Sequence, residues 1–275
     1  MTRPRINQAI ARCPGPCDIA IPIVYPNQPI TIPVAVVREK IPFEGIDVPA
    51  SLQATFTDPD SSPPLSIQSV TAVGPRVLGL GHAGIAMING ITGEAIYYEY
   101  GRYDGERGFG EVRQVALSPS VITFDDNNKP DSASFTALLR SLAKTNNPSA
   151  GYDFEAVYIE LANGAFAIMK AFAEQRQQEV AAWPGGSARP YDVANNHCFT
   201  FAIEVIMEAG ARVNLRQANP LNVKLQGGNV FSRGAVNALA PSFEVPARQM
   251  RALQSQHPAL NVNREGRITN GFQFP

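Results

Sequence analysis

The sequence predicts an α+β fold, with an antiparallel sheet packed on helices and a β-rich N-terminal extension. Two observations carry this expectation. Strand patterns fill the first part of the chain and are joined by turn dipeptides rather than by helices. Helical periodicity enters only from residue 132 onward. Composition shifts divide the 275 residues into an extension at 1–70, a central domain at 71–215 and a loop-rich C-terminal extension at 216–275 packed on it.

In chain order, IAIPIVYP, ITIPVAVV and LQATFTD read as short strands, and their prolines restrict them to edges and bends. The run at 58–64 is a loop. VLGLGHAGIAMING at 77–90 is a buried-strand pattern that stops at Asn89-Gly90. EAIYYEY at 94–100 is an aromatic strand, and the Asn-Gly and Thr-Gly dipeptides between the two suit a hairpin. EVRQVAL at 111–117 is a third strand, and 125–131 is a polar turn. Ser132 is the expected N-cap of a helix whose Phe135, Leu138, Leu139 and Leu142 share one face. YDFEAVYIEL at 152–161 reads as a strand or a helix start. An amphipathic helix at 162–182 stops at Trp183-Pro184-Gly185-Gly186. HCFTFAIEVIMEAG forms a second helix after Asn195-Asn196 and ends at Gly210. One more helix, near 246–256, is expected in the C-terminal part.

Composition narrows the function. The chain is 44% hydrophobic and 17% charged, with a net charge of −1. No bulk field favours nucleic acid or an anionic membrane, and Arg and Lys form no basic stripe. No apolar run is long enough for a secretory signal or a membrane span. The expectation is a protein kept in the producer's cytoplasm, or exported without a cleaved signal. Of three cysteines, Cys13 and Cys17 bracket Pro-Gly-Pro; they either pair in an oxidising compartment or remain plain thiols. No zinc-type spacing accompanies them, so neither a metal nor a cofactor is expected. Gly79-Leu80-Gly81-His82-Ala83-Gly84 matches a dinucleotide-binding pattern in letters. It lies in a strand that ends in a hairpin turn, however, where that motif requires a helix.

Three residues carry the chemistry. Cys198 falls in the first turn of a helix, where free N–H groups and the helix dipole stabilise a thiolate and a developing oxyanion. His82 lies in an apolar strand among glycines and supplies the base that a thiol nucleophile needs. Glu99, between two tyrosines on the next strand, either faces solvent or accepts from the His82 ring and orients it. Each feature alone is an ordinary structural residue; together they describe a nucleophile, a base and an orienting acid. Tyr98, Tyr100 and Tyr103 line the adjoining cleft in this reading, or else pack in the strands.

These motifs resemble a family. Gly81-His82-Ala83-Gly84-Ile85-Ala86 on one strand, Tyr98-Glu99-Tyr100 on the next and Asn196-His197-Cys198-Phe199-Thr200-Phe201 opening a helix are similar to a circularly permuted, NlpC-type papain-like peptidase of the YiiX-like kind. More distantly they resemble lecithin retinol acyltransferase-like proteins. The resemblance covers roughly 77–210 and implies a permuted papain-like fold with Cys198 as nucleophile, His82 as base and Glu99 as orienting acid. One departure is that His197 stands between Asn196 and Cys198, where the family has an Asn-Cys pair. Asn196 and His197 are therefore assigned near the substrate, with His197 tuning the thiol.

The resemblance further implies a cysteine peptidase or amidase acting on peptidoglycan peptides, in the setting of a type VI secretion effector. Such a protein has a cognate immunity protein and a secretion-apparatus component as partners, and it is delivered to the target-cell periplasm. A deamidase or protease of target-cell proteins, an acyltransferase and a non-catalytic binding module are the alternatives.

Overall fold

The structure, a computed structural model, describes residues 13–28, 30–31, 55–56, 65–71, 74–78, 81–101, 110–182, 191, 196–215 and 246–275. Tyr103, the loop at 58–64, the stop at 183–186 and Asn195 lie outside them, as does most of the strands expected at 30–37 and 52–58.

Seven strands form one antiparallel sheet. Its path runs β11 (Ala259–Val262), β9 (Phe154–Val157), β1 (Asp18–Tyr25), β6 (His82–Ile88), β7 (Ala95–Gly101) and β8 (Glu111–Val115), while β10 (Ile159–Leu161) also pairs with β1. The strand expected to belong to an N-terminal extension is therefore interior to the main sheet. The C-terminal segment likewise contributes an edge strand. A second sheet has the order β2 (Ile30–Thr31), β5 (Gly74–Leu78), β4 (Leu65–Thr71) and β3 (Thr55–Phe56).

Proline in an interior strand runs against the expectation of edges and bends, and the register explains it. On one side β1 pairs continuously with β6 from Ile19 to Tyr25. On the other it pairs with β10 through Ala20 and with β9 from Ile23. Pro22, which lacks an N–H, falls in the gap between these two short strands. The break is completed by Tyr158, whose N–H turns away to the Pro258 carbonyl (3.0 Å).

All eight residues of β1 are buried, because helices cover both faces of the sheet. One face packs against α2 (Ala165–Ala181), α3 (Cys198–Glu208) and α4 (Pro246–Gln254) through Ala20, Val24, Ile85 and Met87. The other packs against α1 (Ser132–Lys144) through Ile19, Ile21, Ile23 and Tyr97. The stripe Phe135, Leu138, Leu139 and Leu142 is buried as its spacing requires, and each such side chain is worth about 1.5–3 kcal/mol of burial. Phe272 and Phe274 close this layer against Phe135 and Tyr158.

Local chemistry sets the element ends. The N-cap of α1 is Asp131, one residue before the expected Ser132; its carboxylate accepts from the Ala133 and Ser134 amides. The long pattern at 77–90 divides into β5 and β6, with Gly81 at φ +76° just before β6. The β6–β7 hairpin turns on Asn89, whose Oδ1 accepts from Ile91 and Thr92, with Gly93 at φ +73°. The segment at 152–161 resolves into strands β9 and β10. The helix α3 ends as Gly210 predicts: its N–H donates to Met207 and that of Ala211 to Ile206, a Schellman closure.

Asp18 ties these parts together. Its buried carboxylate accepts from the N–H of Gly90 in the hairpin and from Gly164 and Phe166 at the start of α2. The N-cap position of α2 is Gly164, which has no side chain to cap with, so a carboxylate from β1 does so instead. Cys13 and Cys17, just upstream, are joined by a disulfide. Among the described residues no helix is long and apolar enough to cross a membrane.

Candidate active site

His82 is the first residue of β6, at the end of the sheet where β7 also finishes. Glu99 pairs across the ladder with Gly84, so His82 is its diagonal neighbour on the same face. The His82 Nε2 and Glu99 Oε2 atoms are 3.1 Å apart and hydrogen-bonded. Glu99 therefore does not face solvent, the other alternative for a strand carboxylate; it is 3% exposed.

A buried carboxylate needs several donors, and Glu99 has two more. Asn146 Nδ2 donates to the same oxygen at 3.0 Å, and the Tyr97 hydroxyl at 3.4 Å. Gly84 makes the second possible, because a Cβ there would run into the ring and hydroxyl of Tyr97. Asn146 is set in place by the end of α1. The Tyr25 hydroxyl donates to the Leu142 carbonyl (3.0 Å) and hydrogen-bonds Thr145 Oγ1 (3.2 Å). Burial pushes the Tyr25 hydroxyl far above its usual range, so it stays a neutral donor.

Cys198 opens α3 and is buried beside the His82 ring, close enough for each to shift the titration of the other. Two opposing effects act on each partner. Burial pulls the His82 imidazole down, but hydrogen bonds and charge from Cys198 and Glu99 outweigh it and hold the ring at about 10. Burial pushes the Cys198 thiol up, but the neighbouring His197 and His82 rings and their charges bring it to about 6. Between these limits the favoured state is a thiolate beside an imidazolium.

Of the remaining described candidates, His197 and Asn196 directly precede Cys198, and Tyr98 and Tyr100 lie on β7. His197 is the N-cap of α3 and accepts from the Phe199 amide. Asn196 is buried; its Oδ1 accepts from Arg176 on α2 (3.3 Å) and its Nδ2 donates to the Tyr100 hydroxyl (3.4 Å). Tyr100 packs its ring on Tyr191 and Phe201. Tyr98 hydrogen-bonds Gln114 at 3.2 Å, and burial pushes its hydroxyl up to about 12. Both tyrosines are fully buried, so packing is the role these contacts describe. Among the described residues no group of His, Cys, Asp and Glu is arranged to hold a metal ion.

Four participants carried no signal in the sequence: Asn146, Tyr97, Arg176 and Tyr191. Tyr191 lies beside Cys198, and burial together with the charge of the sulfur pushes its hydroxyl well above the usual range. It contributes to the near-complete burial of the thiol, which is 1% exposed.

With the geometry in place, the comparisons with known proteins can be read. A family model described as "Type VI secretion system effector TseH-like" matches residues 20–215. The chain belongs to the TseH-like family. The match begins inside β1, in keeping with that strand's place in the main sheet. The crystal structure of the type VI secretion system effector TseH aligns over 93% of this chain and 98% of the other, with a TM-score of 0.54 and 19% sequence identity. At that identity the likeness shows a shared fold, a mixed architecture of antiparallel sheet and helices. No curated protein matches the chain. Membership of the TseH-like family makes the protein a type VI secretion effector, a class handled by a secretion apparatus and delivered to target cells.

Proposed function

We propose that this effector is a thiol hydrolase that cleaves amide bonds in peptidoglycan peptides of a rival cell, and that its fold is a permuted papain-like one. The observation that carries the reading is a buried imidazole hydrogen-bonded to a carboxylate, beside a buried thiol on the first turn of a helix whose titration it lowers. The fold shared with TseH fits a papain-like arrangement.

In this reading the Cys198 thiolate attacks the amide carbon, and the carbonyl oxygen becomes an oxyanion. The Cys198 N–H, on the first turn of α3, is the donor for that oxyanion. The His82 imidazolium protonates the leaving nitrogen, the C–N bond breaks and a thioester remains. Neutral His82 then takes a proton from water, whose oxygen attacks the thioester and releases the acid and the thiolate. Glu99 keeps the ring oriented and favours its charged form throughout.

Delivery to the periplasm fits the Cys13–Cys17 disulfide, since such bonds persist in oxidising compartments. The test is digestion of purified peptidoglycan, with release of new amino groups and fragment masses as readouts. Wild type is expected to cleave stem-peptide amides, while folded Cys198→Ala and His82→Ala proteins leave them intact. Equal cleavage by all three would remove Cys198 and His82 from the mechanism. Cleavage of a target-cell protein, with the sacculus untouched, would move the substrate to the deamidase or protease class.

A further inference from the structure

We propose that the cleft between α1 and the end of β8 is a substrate subsite, in which Arg140 and Lys144 hold a carboxylate of the bound peptide. The inference rests on the reading of the protein as a peptide hydrolase. It adds the chemistry that the substrate must carry, a free carboxylate away from the scissile bond.

The helix α1 carries two stripes. Phe135, Leu138, Leu139 and Leu142 face the core. Ala137, Arg140, Ser141 and Lys144 repeat the same helical spacing on another side, and they line a cleft of about 460 Å³. Val115, the last residue of β8, and Ser118 belong to the opposite wall. The Ser118 N–H donates to Ser141 Oγ at 3.0 Å and ties the two walls together. A cleft of this size accepts a small ligand or a short piece of a longer one.

Charge selects the ligand. Arg140 and Lys144 are neighbours on successive turns, and like charges at that spacing repel. Among the described residues neither has a carboxylate partner, whereas Arg113, Lys129, Lys170, Arg176 and Arg267 each have one. The described lining contains no Asp or Glu. Arg140 is held from behind: its Nε donates to the Glu265 carbonyl at 3.3 Å, which leaves the terminal nitrogens for a ligand. A guanidinium fork matches the two oxygens of a carboxylate, and an ammonium adds a point charge. Both walls lead to the Glu99–His82 pair. Val115 lies opposite Tyr97 on β7, and the Tyr97 hydroxyl donates to Glu99. Thr145 lines the cleft, and Asn146, the next residue, donates to the same carboxylate. A peptide anchored here is held on the flank of the site, next to the groups that orient His82.

The experiment uses the full chain. Calorimetry measures binding of soluble stem-peptide fragments to the Cys198→Ala protein, first with free carboxylates and then with those groups converted to amides. Arg140 and Lys144 are exposed, so Arg140→Gln and Lys144→Gln, alone and together, are expected to keep the melting temperature. If loss of the Arg140 contact to Glu265 lowers it, Lys144→Gln alone carries the test. Amidation or the double substitution should each weaken binding about tenfold, the scale of one charge-assisted hydrogen bond, and less so at high salt. With Cys198 intact, the double variant should raise KM about tenfold at unchanged kcat, because the contact is made equally before and during the reaction. Unchanged affinity in the variants, or equal affinity for acid and amide, overturns the proposal. So does a dependence on the two cations that is seen with phosphatidylglycerol vesicles and not with the fragments. The reading beneath fails on a different result: wild type and Cys198→Ala leaving the same products. Cleavage that needs Cys198, with KM unmoved by the double substitution, removes the subsite alone.

Discussion

Replacing Glu99 by Gln keeps the shape of the side chain and removes its charge. Three donors converge on one oxygen of this carboxylate: His82 at 3.1 Å, Asn146 at 3.0 Å and Tyr97 at 3.4 Å. The first holds an imidazole that, despite burial, stays protonated to about pH 10. A hydrogen bond between buried charged partners contributes about 1.5–3 kcal/mol, equivalent to about one to two pH units. In the Glu99→Gln variant the His82 midpoint should therefore fall from about 10 to about 8–9. The sign follows from linkage. A ring held above its ordinary 6.5 contributes stability that is complete below that value and is lost as the pH climbs through the folded-state midpoint. The alkaline limit of folded stability should thus move down with the ring. Ring-selective NMR of His82 reads the midpoint directly. A midpoint unchanged by the substitution would refute the assignment of Glu99 as the group that stabilises the charged imidazole.

Further outcomes follow from the same contacts. Amide hydrolysis should rise with pH through about 6 and fall through about 10, the limits of the Cys198 and His82 pair, in a steady-state profile on peptide substrate. Asp18→Ala strands two buried amides, those of Gly90 and Phe166, and the part-buried amide of Gly164, and should lower stability by about 2–4 kcal/mol in urea titration, with the start of α2 most affected. Gly84→Ala drives a methyl into the Tyr97 ring; a loss of about 1–3 kcal/mol in thermal unfolding is expected, together with a weakened Glu99 site. Tyr191→Ala uncovers the sulfur, so iodoacetamide should reach Cys198 faster than in wild type; an unchanged rate would mean that Tyr191 does not shield it.

What the sequence disclosed followed from short-range rules. Apolar spacing at Phe135, Leu138, Leu139 and Leu142 finds a helix face because the period of an α-helix is fixed. Asn89-Gly90 marks a hairpin because turns need those residue types, and once the hairpin exists, Glu99 must lie diagonal to His82. What stayed hidden depended on distant partners. Nothing near Asn146 announces that its amide will reach a carboxylate 47 residues upstream, and nothing near Asp18 marks it as the cap of a helix that begins at Ala165. Pro22 reads as an edge signal until the gap between β9 and β10 is known.

The placement of β1 and β11 reaches beyond topology. The sheet that carries His82 is stitched from both ends of the polypeptide, with residues 18–25 in its interior and 259–262 at its rim. An excised piece spanning 71–215 would have an open seam where β1 belongs. A transplantable effector module therefore has to include both stitches, and a protease that trims away either one would open the sheet without touching the helix that Cys198 begins.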